Sequence, residues 1–249
     1  MLSPLSGILL PLGFHETPPS SGVSYGTPTL DLDFSGLGLA DNDPIGSITN
    51  AGSAGGSFTA AGSTRPTFRT AIQNGKSVAR FDGTDDVLVG SALSAYFGAS
   101  AKTLFVVGRF TGGSWPATTN WQAPAFLADS GGYLSLAANV VTGPANEFLC
   151  YNYDGGYDYA HGSTSRTINQ WYCLTLWHDG TDLKCQVDTG TLASTASVAT
   201  SSMAGTTQVG KSYSNYLTGD VGRILGYSTA LGTTDRETYR DQLITEWGI

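Results

Sequence analysis

Between Trp171 and Asp188 the chain spells out a complete β-hairpin, and this constrains the fold more than any other stretch. Trp171-Tyr172-Cys173-Leu174-Thr175-Leu176-Trp177 alternates with period two and turns through His178-Asp179-Gly180-Thr181. The chain then alternates again from Asp182 to Asp188. An Asp-Gly pair between two alternating runs is the strongest short-range hairpin signal, since glycine takes the positive φ that the turn needs. The alternation places Leu174 and Leu176 on one face of the first strand and Cys173 on the other. On the return strand Cys185 is in phase with Leu183 and Val187 and faces inward. Cysteines on opposite faces cannot be bridged. Cys150, in Phe148-Leu149-Cys150-Tyr151, reads as a core residue. Three free thiols are therefore expected, and with them synthesis in a reducing cytoplasm.

The same strand-and-turn punctuation runs along the rest of the chain. Leu30 to Phe34 alternates. Val78-Ala79-Arg80-Phe81 runs into the turn Asp82-Gly83-Thr84-Asp85 and on to Val87-Leu88-Val89. Thr103 to Phe110 is a continuous apolar run, as in a strand buried on both faces. Further strands are expected at 125–128, 133–138, 147–153, 207–210 and 219–227, whereas residues 35–64 hold little core material. Many short strands at this spacing specify an all-β fold, a sandwich or a barrel. Only the last segment changes period. Thr234-Asp235-Arg236-Glu237 fits a capping box, Tyr239, Leu243, Ile244 and Trp247 share one helical face, and Gly248 can end the helix. One short C-terminal helix is expected on the sandwich.

Three stretches, read in order, resemble the LamG-like, concanavalin A-like lectin/glucanase jelly rolls of phage and bacterial surface proteins. They are Asn74 to Asp86 with the strand ending Val106-Val107-Gly108-Arg109, the Trp171–Asp188 hairpin, and Gly219-Asp220-Val221-Gly222-Arg223-Ile224-Leu225-Gly226-Tyr227 continuing to Ile249. The resemblance spans residues 29–249. Residues 1–28, rich in Pro, Gly and Ser, lie outside it and read as an extended arm, which either packs along its own domain or, on the sharper reading, anchors the domain to a neighbouring subunit. The fold so implied, an all-β two-sheet antiparallel jelly-roll sandwich, hosts lectins, glycosidases, adhesins and structural modules alike, so function must come from residues.

Net charge excludes one class of partner. The formal charge is −8, and no basic residue precedes Arg65. Nucleic-acid affinity comes mainly from clustered Lys and Arg, so no nucleic-acid partner is expected. The apolar start, Met1 to Phe14, lacks a positive charge and is broken by Pro4, Gly7, Pro11 and Gly13, so neither a secretory signal nor a membrane span is expected. Catalysis is not expected either. The resemblance implies that a glucanase would carry Glu-x-Asp-x-x-Glu on one strand. Here the four glutamates are Glu16, Glu147, Glu237 and Glu246, and none makes that pattern. No Gly-x-Ser-x-Gly elbow occurs, and a Cys150–His161 pair competes with the core reading of Cys150.

Two groups could bind something. Tyr151, Tyr153, Tyr157 and Tyr159 alternate with Asn, Asp and Gly before His161, while Trp115 and Trp121 lie in the 111–124 loop. Aromatic faces stack on sugar C–H surfaces and short polar groups bond hydroxyls. Trp115, Trp121, Tyr157, Tyr159 and His161 are therefore candidate glycan contacts, set against a strand whose tyrosines cover one sheet face. Asp154 and Asp158, with Asn152, are candidate Ca²⁺ ligands, although Asp and Asn beside Gly-Gly also make ordinary turns. Asp82, Asp85 and Asp86 read as turn residues. These arguments lead to a non-enzymatic virion structural protein, a capsid-decoration or tail-fibre subunit with a lectin-like surface domain. It would be assembled in the host cytoplasm, displayed on the virion surface as a homo-oligomer, and held to other virion proteins by the arm. The alternative is a carbohydrate-binding adhesin module recognising host glycan, and a glycosidase-like enzyme comes third.

Overall fold

The computed structural model describes residues 24–97, 101–112, 125–131, 134–138, 147–153, 156–197 and 204–249. Two antiparallel sheets face each other, as the resemblance implies. The first runs in the order β14 (Ala193–Ala196), β13 (Asp182–Val187), β12 (Tyr172–His178), β7 (Lys102–Phe110), β18 (Thr218–Tyr227), β5 (Lys76–Asp82) and β4 (Thr67–Gln73), with β1 (Leu30–Asp33) also paired to β18. The second runs β11 (Tyr157–Ser165), β10 (Glu147–Tyr153), β9 (Leu134–Ala138), β8 (Ala125–Asp129), β15 (Thr206–Val209), β6 (Leu88–Ala92), β3 (Ser57–Thr59) and β2 (Ser47–Thr49). A small hairpin, β16 (Lys211–Ser212) and β17 (Asn215–Tyr216), follows β15. The turn at Asp82–Asp85 thus carries the chain from one sheet to the other.

Alternation fills two cores. Phe34, Phe58, Phe81, Phe110, Phe126 and Phe148 pack between the sheets. The other face of the first sheet contributes Phe105, Val107, Cys173 and Leu225, which pack with Trp171 against Leu243 and Trp247 of the helix α1 (Thr233–Trp247). β7, with both faces covered, needs its continuous apolar run. The first sheet is therefore sandwiched, whereas the second has an outer face that α1 does not cover. Sheet edges meet rather than stay open: Thr195 Oγ1 on β14 donates to the Tyr159 carbonyl on β11 at 2.8 Å. At the far edge Ile45 N donates to the Pro66 carbonyl at 2.8 Å. Such closure withholds unpaired strand edges from other chains.

The hairpin has the expected register, with Leu174 opposite Val187 and Leu176 opposite Cys185. Cys185 faces the inter-sheet core, Cys173 lies under the helix, and all three cysteines are unbridged and buried. Asp179 Oδ1 accepts from the Thr181 and Asp182 amides at 2.9 and 2.8 Å, and Gly180 takes φ +101°. The helix ends at Gly248 in the left-handed region, as expected.

Two expectations are corrected. The capping box at Thr234–Glu237 does not form: the helix starts at Thr233, two residues before the box would start it, and its N-cap is Gly232, with no side-chain cap bond. Residues 35–64 supply more than loop, since β2 and β3 bury Ile48 and Phe58 and the turn before them buries Ile45. Single apolar residues between polar ones on three-residue strands leave too short a run for periodicity to register. The described end of the N-terminal segment lies on the domain itself. The Tyr25 hydroxyl donates to Glu246 Oε2 at 2.6 Å, the Tyr227 hydroxyl donates to the Tyr25 carbonyl at 2.6 Å, and the Arg223 guanidinium sits 4.6 Å over the Tyr25 ring. Residues 1–23, with the rest of the expected arm, lie outside the described residues.

Candidate functional site

The outer face of the second sheet gathers the tyrosines. On β10, Phe148 and Cys150 point into the inter-sheet core, so Tyr151 and Tyr153 point outward. Antiparallel pairing sets Tyr159 opposite Tyr151, Tyr157 opposite Tyr153 and His161 opposite Leu149, all on that outer face. Directly opposed side chains in an antiparallel pair touch, which makes four alternating tyrosines one cluster. The Tyr153 and Tyr157 ring centroids lie 4.9 Å apart, and Tyr157 and Tyr159 are stacked at 6.1 Å with an interplanar angle of 18°. Tyr151 meets both Tyr157 and Tyr159 edge-on, at 6.0 and 6.3 Å.

Burial grades across the cluster. Tyr151 is fully buried at its base, Tyr153 and Tyr159 are half-buried, and Tyr157 is 38% exposed. The Tyr151 hydroxyl lies 3.2 Å from Ser212 Oγ, which docks the β16–β17 hairpin onto this face beside Ser135. Burial pushes the Tyr151 phenol well above its ordinary value, so it serves as a neutral hydrogen-bonding group. At the hairpin tip Tyr213 is 51% exposed, and Lys211 Nζ stands 4.6 Å over the Tyr216 ring. His161 Nδ1, at the middle of β11, and Glu147 Oε2, at the start of β10, lie 3.6 Å apart. The face thus offers exposed aromatic rings flanked by hydroxyl, amine, imidazole and carboxylate groups.

The remaining sequence candidates fall elsewhere. Asp158 pairs with Asn152 across the strands, on the inward parity, and Asn152 Nδ2 donates to Ser197 Oγ at 2.9 Å. Asp158 is therefore separated by the sheet from the tyrosine rings. Asp154, Trp115 and Trp121 lie outside the described residues. Cys150 faces the core while His161 faces outward, so the sheet separates that pair as well. Among the described residues the closest acidic group is Asp82, Asp85 and Asp86, with carboxylate oxygens within 4.8 Å of one another. Turn bonds occupy it: Asp82 Oδ1 accepts from Thr84 N at 2.7 Å, Asp86 Oδ2 from Asp82 N at 2.9 Å, and Asp85 Oδ2 from Ser63 Oγ at 2.7 Å. Burial, with the Asp82 and Asp85 charges, lifts the Asp86 carboxyl to about 6. Ser135, Ser212 and Tyr213 carried no signal in the sequence, because a hairpin of two-residue strands has no periodicity to read.

This arrangement of two antiparallel sheets with a C-terminal helix is an all-β sandwich. No family model and no curated protein matches the chain. Solved structures do match in fold. The receptor-binding domain of botulinum neurotoxin C/D mosaic serotype aligns with TM-score 0.62 and 10% identity, over 90% of this chain and 55% of that one. The binding domain of botulinum neurotoxin DC in complex with SialylT aligns with TM-score 0.60 and 9% identity, over 88% and 52%. Trypanosoma rangeli sialidase in complex with sialic acid aligns with TM-score 0.53 and 12% identity, over 87% and 33%. The chain spans about half or less of the length of these structures, and the likeness is one of fold.

Proposed function

We propose that this chain is a non-enzymatic carbohydrate-binding module, a LamG-like sandwich that takes glycan on the outer face of its second sheet. The observation that carries the reading is the graded tyrosine cluster. Tyr151 is locked at the base by Ser212, while Tyr157 presents its ring beside polar groups from two hairpins. A flat ring facing solvent stacks on the apolar face of a sugar, and hydroxyl and charged groups around it bond the sugar hydroxyls. Fold relatives solved with SialylT or sialic acid support a saccharide as the ligand class. The placement of the described glutamates supports binding over hydrolysis, since Glu147 is on β10 and Glu237 and Glu246 are on α1, so no two of them share a sheet strand as the glucanase pattern requires.

The module's place on a virion, as a capsid-decoration or tail-fibre subunit, belongs to this proposal on sequence grounds: unpaired thiols and a proline-broken apolar N-terminal segment. The test of the binding reading is a glycan array with the full chain and the Tyr157→Ala variant. The chain is expected to bind at least one glycan class, and the variant to bind it several-fold more weakly at an almost unchanged melting temperature. A full chain that binds no glycan, or a variant that binds as well as its parent, overturns the proposal.

A further inference from the structure

Two of the three thiols meet inside the sandwich. Cys150 on β10 and Cys185 on β13 are both buried in the inter-sheet core, one from each sheet. Their neighbours place the two side chains in the same part of that core. Cys150 Sγ donates to the Thr175 carbonyl at 3.8 Å, and Thr175 on β12 pairs with Gln186, the residue next to Cys185. From the other side, a Cβ built on Gly162 would lie 3.5 Å from Cys185 Sγ and 3.5 Å from the carbonyl of Phe148, two residues before Cys150 on the same strand face. The nearby Cys185 thiol adds to burial in raising the Cys150 thiol above its ordinary value. Cys173 is on the far face of the first sheet, beneath the helix, and cannot join them.

We infer that Cys150 and Cys185 form an inter-sheet disulfide when the chain folds in an oxidising environment, and remain a buried dithiol in a reducing one. The reaction is thiol–disulfide exchange with glutathione disulfide. One cysteine displaces glutathione to give a mixed disulfide, and the second cysteine displaces the other glutathione. One S–S bond forms between the sheets as one is broken, and the two thiol protons leave on two molecules of glutathione. The reaction belongs to the folding chain, because the closed sandwich excludes oxidant and burial holds the Cys150 thiol protonated. The bond closes a loop of about 35 residues, long enough for cross-linking to constrain the unfolded chain substantially. The pairing goes unseen in the sequence because the two residues belong to different sheets, and alternation states which face a cysteine takes, not which residue it meets.

The full chain, refolded from denaturant in a glutathione redox buffer and alkylated under denaturing conditions, tests this. The expected product is monomeric, two hydrogens lighter than the reduced chain. Its one cross-linked peptide pair contains Cys150 and Cys185, Cys173 is alkylated, and the near-ultraviolet circular dichroism equals that of the reduced protein. Its melting temperature is expected about 5–10 °C higher without reductant. Three alkylated cysteines in a natively folded chain, a bond involving Cys173, an intermolecular bond, or a cross-linked product lacking the native spectrum would each overturn the inference. Glycan binding does not enter the readout, so this result is independent of the proposed function.

Discussion

At the scale of single residues, the same side-chain type takes opposite roles according to depth. Tyr151 and Tyr157 lie 6.0 Å apart, yet one is fully buried and the other 38% exposed. Truncating Tyr151 is expected to cost about 3–5 kcal/mol, as large-to-small core changes do. Truncating Tyr157 is expected to leave urea unfolding nearly unchanged while weakening glycan binding. Asp86 makes a second residue-scale prediction. Its folded-state carboxyl titrates at about 6, above its ordinary 3.8, through burial and the neighbouring carboxylates. A raised folded value means the native state holds the proton more tightly. This group's contribution is fully present below pH 3.8 and is lost as pH rises through about 6. Asp86→Asn keeps an acceptor for the Asp82 amide and removes the buried charge. It is expected to raise the melting temperature by a few degrees at pH 7.5, with the gain shrinking through pH 6 and gone near pH 4, as thermal scans across that range would show.

At the scale of elements, the helix is held by what it covers. Trp247 stacks on Trp171 at 5.8 Å and lies against Gly222 of β18 so closely that any Cβ there would enter the indole ring. Gly222→Ala is expected to cost about 1–3 kcal/mol in urea unfolding and to shift the tryptophan fluorescence, since overpacking forces the rings apart. A parent-like midpoint and spectrum would show that the helix slides to accommodate the methyl group. The helix owes its placement to this packing more than to its start, where Gly232 offers no side-chain cap. Beside it, Asp220 on β18 is fully buried and bonded to Arg80 on β5 and Arg109 on β7 at 2.7 and 2.8 Å, tying three strands of the first sheet.

At the scale of the whole molecule, the folded unit includes Tyr25. Its ties to Glu246, Tyr227 and Arg223 join the N-terminal segment to the helix and to the first sheet. Tyr25→Ala, which removes the ring and its bond to Glu246, is expected to lower the melting temperature by several degrees in thermal scans. A parent-like melting temperature would show that these ties contribute nothing to stability.

What could be read from the sequence alone was local. Period-two alternation states which face each residue of a strand takes, so β7, the β12–β13 hairpin, the separation of Cys173 from Cys185 and the all-β architecture were all legible before any coordinates. Gly248 after a helical period marked the helix end for the same reason. What only the tertiary structure decided was which faces meet. Nothing in the alternation of Tyr151, Tyr153, Tyr157 and Tyr159 says that Ser212 docks over them, or that Cys150 meets Cys185. Those contacts join residues far apart in the chain, and they arise from how two sheets and a short hairpin close on one another. A strand's periodicity carries the direction of a side chain, whereas its neighbour is set by packing the whole molecule at once.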